Sequence, residues 1–134
     1  MIGILIITHE QLGASLINCI IHILDECPPL LLNHAVSPAA DPEIEIIQLQ
    51  AMLRQLDQGD GVLILTDILG ATPANIACEL IQDGRVECLA GLNLPMLLRA
   101  VQHRHLPLPQ LIDKVLTGGR ESILQIAQEA DDAN

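Results

Sequence analysis

Short runs of consecutive aliphatic residues recur along this 134-residue chain, and they constrain its fold more than any other feature. The run at residues 2–7 is β-branched and of strand length, and residues 30–32, 62–65 and 86–90 repeat the pattern. Uninterrupted aliphatic runs indicate strands that are buried on both faces, as in a parallel sheet. The sequence therefore predicts four short, buried strands.

Segments with helical spacing separate these runs. Asp41 and Pro42 are typical of a helix N-cap and first helical position, and Thr72 and Pro73 repeat that pair. Asn93, followed by Pro95, indicates a further helix start. Together with apolar residues at helical spacing, these signals predict helices over residues 11–24, 42–57, 73 to about 83, from 94 onward, and from the prolines at 107 and 109 to 116.

Strands that alternate with helices predict an α/β fold with a doubly wound, mainly parallel sheet and helices on both faces. The length predicts a single domain over residues 1–134, with residues 129–134 as an acidic tail. Gly118-Gly119 is interpreted as a flexible joint, and residues 122–126 as either a helix or a fifth strand.

The composition excludes several classes of binding site. The chain has no Phe, Trp or Tyr, so it cannot stack unpaired bases, build a cation–π cage or floor a sugar site with an aromatic ring. Seventeen acidic against six basic residues give a net charge of −11, which repels nucleic acids and anionic membranes. A partner protein with a basic face is instead attracted.

The N-terminal segment and the cysteines indicate a cytoplasmic protein. The segment lacks a basic region and a cleavage site, and its apolar run is too short to insert into a membrane. No Cys-x-x-Cys pair occurs among the four cysteines, so buried thiols are expected rather than a metal site. No metal and no cofactor is predicted.

Two polar residues follow two of the aliphatic runs. His9 comes after the first strand and Asp67 after the third, so neighbouring strands would bring both into one crevice. A carboxylate that accepts one ring N–H of a histidine leaves the other nitrogen as a nucleophile or base. The simpler alternative is a histidine that only caps a loop.

The segment after Asp67 favours the chemical interpretation. Residues 70–75 (Gly-Ala-Thr-Pro-Ala-Asn) join the strand to a helix start, and their small side chains let backbone N–H groups approach an anion. The segment is neither a Walker A loop nor Gly-x-Gly-x-x-Gly. A histidine, an orienting carboxylate and an anion cradle together are typical of a phosphohistidine site.

Three segments of the chain resemble the IIA component of the mannose-type phosphotransferase system. They are residues 7–9 (Ile-Thr-His), 66–75 and 91–97 (Gly-Leu-Asn-Leu-Pro-Met-Leu). Residues 118–122 resemble the C-terminal segment of the same family. The resemblance covers essentially the whole chain in order and spacing. The phosphotransfer subunit of dihydroxyacetone kinase shares the implied fold and is an alternative.

The resemblance implies a role for each matched residue. The carrier HPr would phosphorylate His9 at Nε2, Asp67 would hold Nδ1–H, and a IIB component would accept the phosphoryl group. The phosphoryl oxygens would be held by Gly70, Ala71 and Thr72. Docking of partner proteins would involve residues beside this site, namely Ile68, Leu69, Asn93, Pro95 and Met96.

Two positions depart from the family pattern. Glu10 stands where the family has glycine, and we expect it to point outward as a first-turn helix residue. Ala71 replaces the second glycine of the loop and requires a backbone conformation that alanine can adopt. The family also forms dimers by exchanging a C-terminal strand, so a homodimer is predicted, with residues 122–126 as the arm.

Three alternatives remain open from the sequence. The chain could be a regulatory module whose phosphorylation state controls a partner protein without sugar transport. A metal-free hydrolase with His9 as base is less favoured, because the matching loops contain no serine or cysteine nucleophile. His103 and His105 could form a metal pair or a basic docking spot with Arg104, although a solvated loop is the simpler interpretation.

Overall fold

The computed structural model describes residues 1–128, and its elements follow the predicted alternation of strands and helices. In chain order they are β1 (Gly3–His9), α1 (Leu12–Leu24), β2 (Leu31–Val36), α2 (Pro42–Leu56), β3 (Val62–Thr66), α3 (Thr72–Cys78), β4 (Val86–Leu89), α4 (Leu94–His103) and α5 (Leu108–Glu121).

The four strands form one parallel sheet in the order β2-β1-β3-β4. The chain moves from β1 to one side for β2 and then crosses to the other side for β3. The order therefore reverses between β1 and β3, which is where ligands of doubly wound sheets bind. The predicted α/β fold is confirmed.

Both faces of the sheet are buried, because alternate residues of each aliphatic strand point to opposite sides. Ile4, Ile6, Leu63 and Leu65 pack against α1, α4 and α5 on one face. On the other face, the intervening residues pack against α2 and α3, namely Leu5, Ile7, Val62 and Ile64. Aliphatic side chains alone fill both layers, as the composition requires.

Three element boundaries differ from the prediction by four residues or more, at the ends of β2, α3 and α5. β2 continues to Val36, because its backbone pairs with β1 as far as the register pair of Val36 and His9. The predicted loop at residues 35–41 therefore begins only at Ser37. α3 ends at Cys78 instead of near residue 83, and turns connect it to β4.

The prediction of a flexible joint at Gly118-Gly119 is wrong. Both glycines are buried within α5, which runs unbroken to Glu121. A Cβ atom on Gly119 would lie 2.4 Å from Cγ of Met96, and one on Gly118 would lie 2.5 Å from Cγ of Arg99. The glycines therefore let α5 pack closely against α4. Residues 122–128 form neither a helix nor a strand, and the predicted acidic tail lies outside the described residues.

The interpretation of residues 103–105 as a solvated loop is wrong for Arg104, which is 4% exposed. Its guanidinium donates to the carbonyl oxygens of Ile2 at 3.0 Å and Leu30 at 2.5 Å, and also to that of Pro29. Burial lowers the pKa of Arg104 to about 10, so the group stays charged at neutral pH. Arg104 thus connects the end of α4 to the segments just before β1 and β2. These lie at the opposite end of the strands from His9.

We expect Arg104→Met to destabilise the fold by about 3 kcal/mol, because it leaves buried carbonyl groups without donors. Urea unfolding followed by circular dichroism measures the change. Arg54→Met is the control, since Arg54 is exposed and makes no ion pair within residues 1–128. Equal unfolding midpoints for the two variants would contradict the assignment.

Candidate active site

His9 and Asp67 meet at the carboxyl end of the sheet because β1 and β3 are neighbours in register, with Ile7 opposite Thr66. Nδ1 of His9 lies 2.8 Å from Oδ2 of Asp67, and the same oxygen accepts the backbone N–H of His9 at 2.9 Å. The carboxylate thus holds both the backbone and the ring of His9. The predicted juxtaposition of the two residues is confirmed.

Asp67 is well placed to remain ionised. Partial burial favours its neutral form, but hydrogen bonds from the backbone and ring of His9 and from the Ile68 N–H at 2.8 Å outweigh that effect. The pKa of the carboxyl is therefore held below its usual value. An ionised Asp67 can accept the Nδ1–H of His9, and this leaves Nε2 of His9 with its lone pair.

The ring of His9 borders an open pocket. Its side chain is 49% exposed, whereas that of Asp67 is 11% exposed. The pocket has a volume of about 270 Å³ and is lined by His9, Val36, Ser37, Pro38, Thr72 and Pro73. His9 is therefore accessible to a reaction partner while its orienting carboxylate is shielded.

The loop between Asp67 and α3 has the backbone that its small residues predicted. Gly70 has φ of 88°, which favours glycine, whereas Ala71 has φ of −97° and ψ of 173°, which any residue adopts. Alanine therefore fits where the family has glycine. The predicted cap is wrong by one residue, because Ala71 is the N-cap and Thr72 the first helical residue. The exposed Thr72 side chain makes no capping hydrogen bond within the described part of the chain and borders the pocket.

Glu10 is not a first-turn helix residue as expected. It lies in a turn before α1, whose N-cap is Gln11, and its φ of 48° is in the left-handed region. This conformation explains physically why glycine suits the position after the histidine. The Glu10 side chain is exposed, in agreement with the expectation that it points outward.

Glu10→Gly should stabilise the fold by up to about 1 kcal/mol, because it removes the strain of a left-handed non-glycine residue. Thermal unfolding of the two proteins measures the gain. Because solvent screens the exposed carboxylate, we expect the rate of the phosphorylation that the family resemblance implies to change less than about twofold. Glu43→Gly, on the exposed face of α2, controls for general loss of charge and should destabilise instead.

The residues expected to dock a partner divide into two groups. Ile68 and Leu69 are 59% and 81% exposed beside the site, as docking residues should be. Met96, in contrast, is 4% exposed in the core, so it cannot contact a partner directly. Asn93 caps α4 by accepting the Met96 N–H at 2.9 Å, and Pro95 is half-buried in the first turn. Asn93, Pro95 and Met96 therefore shape the neighbouring loop.

Ser37 is a site residue that the sequence did not reveal. It directly follows β2 at the edge of the sheet where His9 and Asp67 lie. The sequence signal was present, because a polar residue after an aliphatic strand is the rule that identified His9. It was missed because the predicted strand ended at residue 32.

Residues 1–128 contain neither a metal-binding cluster nor a membrane-spanning helix. Over residues 1–128, no group of three or more His, Cys, Asp or Glu side chains could hold a metal ion. His103 and His105 therefore form no metal site with neighbours in this part of the chain. The same residues include no helix that is both long and apolar enough to cross a bilayer.

The sequence of this chain matches a known family. A family model described as "EIIA-man: PTS system fructose IIA component" matches residues 3–116, where PTS is the phosphotransferase system. The chain belongs to this family. The resemblance inferred from the motifs is thereby confirmed, and the chain is a IIA component of the mannose family of the phosphotransferase system.

Named relatives support the same placement. The chain is 37% identical over 79 residues to the "PTS system fructose-specific EIIA component" of Bacillus subtilis, covering 58% of this chain and 53% of that protein. It is 33% identical over 89 residues to the "PTS system mannose-specific EIIAB component" of Escherichia coli, covering 64% of this chain and 28% of the relative. The match thus spans about half of the first relative and about a quarter of the second.

Solved structures of IIA proteins have the same fold. The phosphotransferase component EIIA from Streptococcus agalactiae has a TM-score of 0.82 and 28% identity, covering 93% of this chain and 97% of that one. The mannose/sorbose-specific IIA subunit from Enterococcus faecalis has a TM-score of 0.84, covering 96% and 97%. At 18% identity, the second likeness concerns the fold alone.

Proposed function

We propose that this IIA component carries a phosphoryl group on Nε2 of His9. The single observation that supports this most directly is the contact of Nδ1 of His9 with Asp67 at 2.8 Å. A ring nitrogen held in this way is protonated, so the lone pair resides on the nitrogen facing away from the carboxylate. That nitrogen belongs to the exposed part of the ring, beside the pocket.

The transfer step requires little from the protein beyond positioning. Nε2 of His9 attacks the phosphorus of a phosphohistidine on the donor; a new P–N bond forms while the donor's P–N bond breaks, and the electron pair stays on the donor ring. The imidazole of His9 gains positive charge as the bond forms. Asp67, with its pKa held below the usual value, stabilises that charge through Nδ1–H.

The loop after Asp67 supplies donors for the phosphoryl oxygens. Three backbone N–H groups make no hydrogen bond within residues 1–128, namely those of Gly70, Ala71 and Thr72. Thr72 also lines the pocket, and its hydroxyl is a further donor for the group. The proposed cradle therefore consists of backbone donors and one hydroxyl. Such donors can bind an anion even though the loop contains no lysine or arginine.

The partners follow from the family resemblance and from the surface. The donor would be HPr, and the exposed Ile68 and Leu69 would form the apolar contact next to His9. The charge of −11 would attract a carrier with a basic face. The acceptor would be a IIB component or, in the regulatory alternative, a protein that responds to the phosphorylation state. A measurement of phosphoryl transfer from this chain to a IIB protein distinguishes these two acceptors.

Residues 122–128 carry the dimer proposal. Ile123, Leu124 and Ile126 are 78%, 68% and 89% exposed, and such apolar side chains require a cover. β4 is an edge strand of the described sheet, and only Val86 at its start pairs outward, with the backbone of Gln82. Within residues 1–128, the outer edge of β4 from Glu87 onward is open to pairing. We propose that this arm adds to the sheet of a second copy in a homodimer.

A phosphorylation assay tests the proposed function. The chain is incubated with phosphoenolpyruvate, enzyme I and HPr, and its intact mass is measured. One acid-labile phosphoryl adduct is expected. Failure to form that adduct while HPr itself is charged would contradict the proposal.

A further inference from the structure

We propose that Ser37 is a second hydroxyl ligand of the phosphoryl group, facing Thr72 across His9. This inference rests on the proposed function, since it names a further binding residue of the same site. Ser37 and Thr72 line the pocket together with His9. Because the sheet order is β2-β1-β3, the residue after β2 and the residue at the start of α3 approach His9 from opposite sides.

The position of Ser37 relative to His9 is fixed by the sheet. Val36, which precedes Ser37, is the register partner of His9, and neighbouring strands lie about 4.8 Å apart. Two residues earlier in β2, Nε2 of His34 lies 3.0 Å from Oε2 of Glu45 on α2, with both side chains largely buried. Because β2 precedes the Ser37 turn and α2 follows it, this contact holds the two elements that flank the turn together.

The turn also orients the hydroxyl of Ser37. Its Oγ accepts the backbone N–H of Ala39 at 3.3 Å, and its carbonyl oxygen accepts that of Ala40 at 3.0 Å. With its oxygen engaged as an acceptor, the hydroxyl keeps its hydrogen available to donate. No acceptor within residues 1–128 takes that hydrogen.

The number of donors matches the group to be bound. A phosphoryl group on nitrogen exposes three oxygens, and the loop at residues 70–72 lies on only one side of His9. Ser37 supplies a donor on the other side. The acceptor of this hydrogen bond is the phosphoryl group itself, so Ser37 contributes only once that group is present. Hydrogen bonds to a charged acceptor are also stronger than neutral ones.

Two substitutions test whether residue 37 contacts the phosphoryl group. Ser37→Ala removes both the turn acceptor and the donor. Ser37→Asp keeps an oxygen acceptor for the Ala39 N–H, since aspartate stabilises such turns, but it removes the donor and adds negative charge. Ser15→Ala is the control, because Ser15 is exposed on α1 and outside the pocket.

Transfer from phosphorylated HPr is measured by rapid quench. We expect Ser37→Ala to slow it about tenfold and Ser37→Asp about a hundredfold, while Ser15→Ala leaves it unchanged. An unchanged rate in Ser37→Ala would mean that Ser37 only supports the turn, and an unchanged rate in Ser37→Asp would mean that residue 37 lies away from the phosphoryl group. Either result would overturn the proposal.

A second measurement needs no protein donor. Phosphoramidate, a small chemical phosphoryl donor, modifies His9 directly, and ³¹P NMR follows the protonation of the attached phosphoryl group. The Ser37 variants should protonate at higher pH than the unchanged chain, because a lost donor destabilises the dianion. Labelling by phosphoramidate without transfer from HPr would refute the proposed function alone, and identical NMR titrations would refute the role of Ser37 alone.

Discussion

His9→Ala should abolish the acid-labile phosphoryl adduct, the largest effect expected of any single substitution in this chain. Nε2 of His9 is the proposed acceptor atom, and alanine offers no nucleophile in its place. The substitution should leave the fold intact, because the His9 side chain is 49% exposed at the end of β1. Intact mass after incubation with phosphoenolpyruvate, enzyme I and HPr measures the loss.

A matched histidine substitution makes this experiment specific. His22→Ala removes an exposed histidine from α1 and should be phosphorylated as fast as the unchanged chain. Circular dichroism establishes that both variants are folded. Persistence of the adduct in His9→Ala would show that another residue carries the phosphoryl group.

Asp67→Asn should slow transfer about a hundredfold without unfolding the domain. The carboxylate accepts three hydrogen bonds, two from His9 and one from the Ile68 N–H. An amide has only one oxygen, so its NH₂ must face either His9 or Ile68. If the NH₂ faces Nδ1 of His9, the ring proton moves to Nε2 and the proposed nucleophile is lost.

Single-turnover transfer from phosphorylated HPr measures this effect. Asp113→Asn is the control, since Asp113 is exposed on α5 and makes no ion pair within residues 1–128. A rate for Asp67→Asn equal to that of Asp113→Asn would show that Asp67 does not orient His9.

The sequence predicted that His9 and Asp67 would meet because two general rules combined. Aliphatic runs located β1 and β3, and the parallel arrangement placed the residues after both strands at one edge of the sheet. The prediction required only that the strands be neighbours. Ser37 obeys the same rule, but the polar residues Asn33 and His34 interrupt the aliphatic run of β2 and concealed its true end.

The helix errors have a different origin. Local propensity treats Gly118-Gly119 as a break, yet both glycines lie within α5 because α4 packs directly against them. Arg104 was interpreted as solvated because charged residues are seldom buried, yet it is enclosed where carbonyl groups from distant segments converge. In both cases the contact partner is remote in the sequence.

The sequence by itself determined the α/β architecture, the all-aliphatic core and the positions of His9 and Asp67 at the ends of two strands, because these depend on patterns within short segments. The tertiary structure alone decided the left-handed turn at Glu10, the burial of Arg104 and the approach of Ser37 to the pocket. Those features depend on which backbone atoms from separate elements come within hydrogen-bonding or packing distance, and such distances are set only when the two layers close on the sheet.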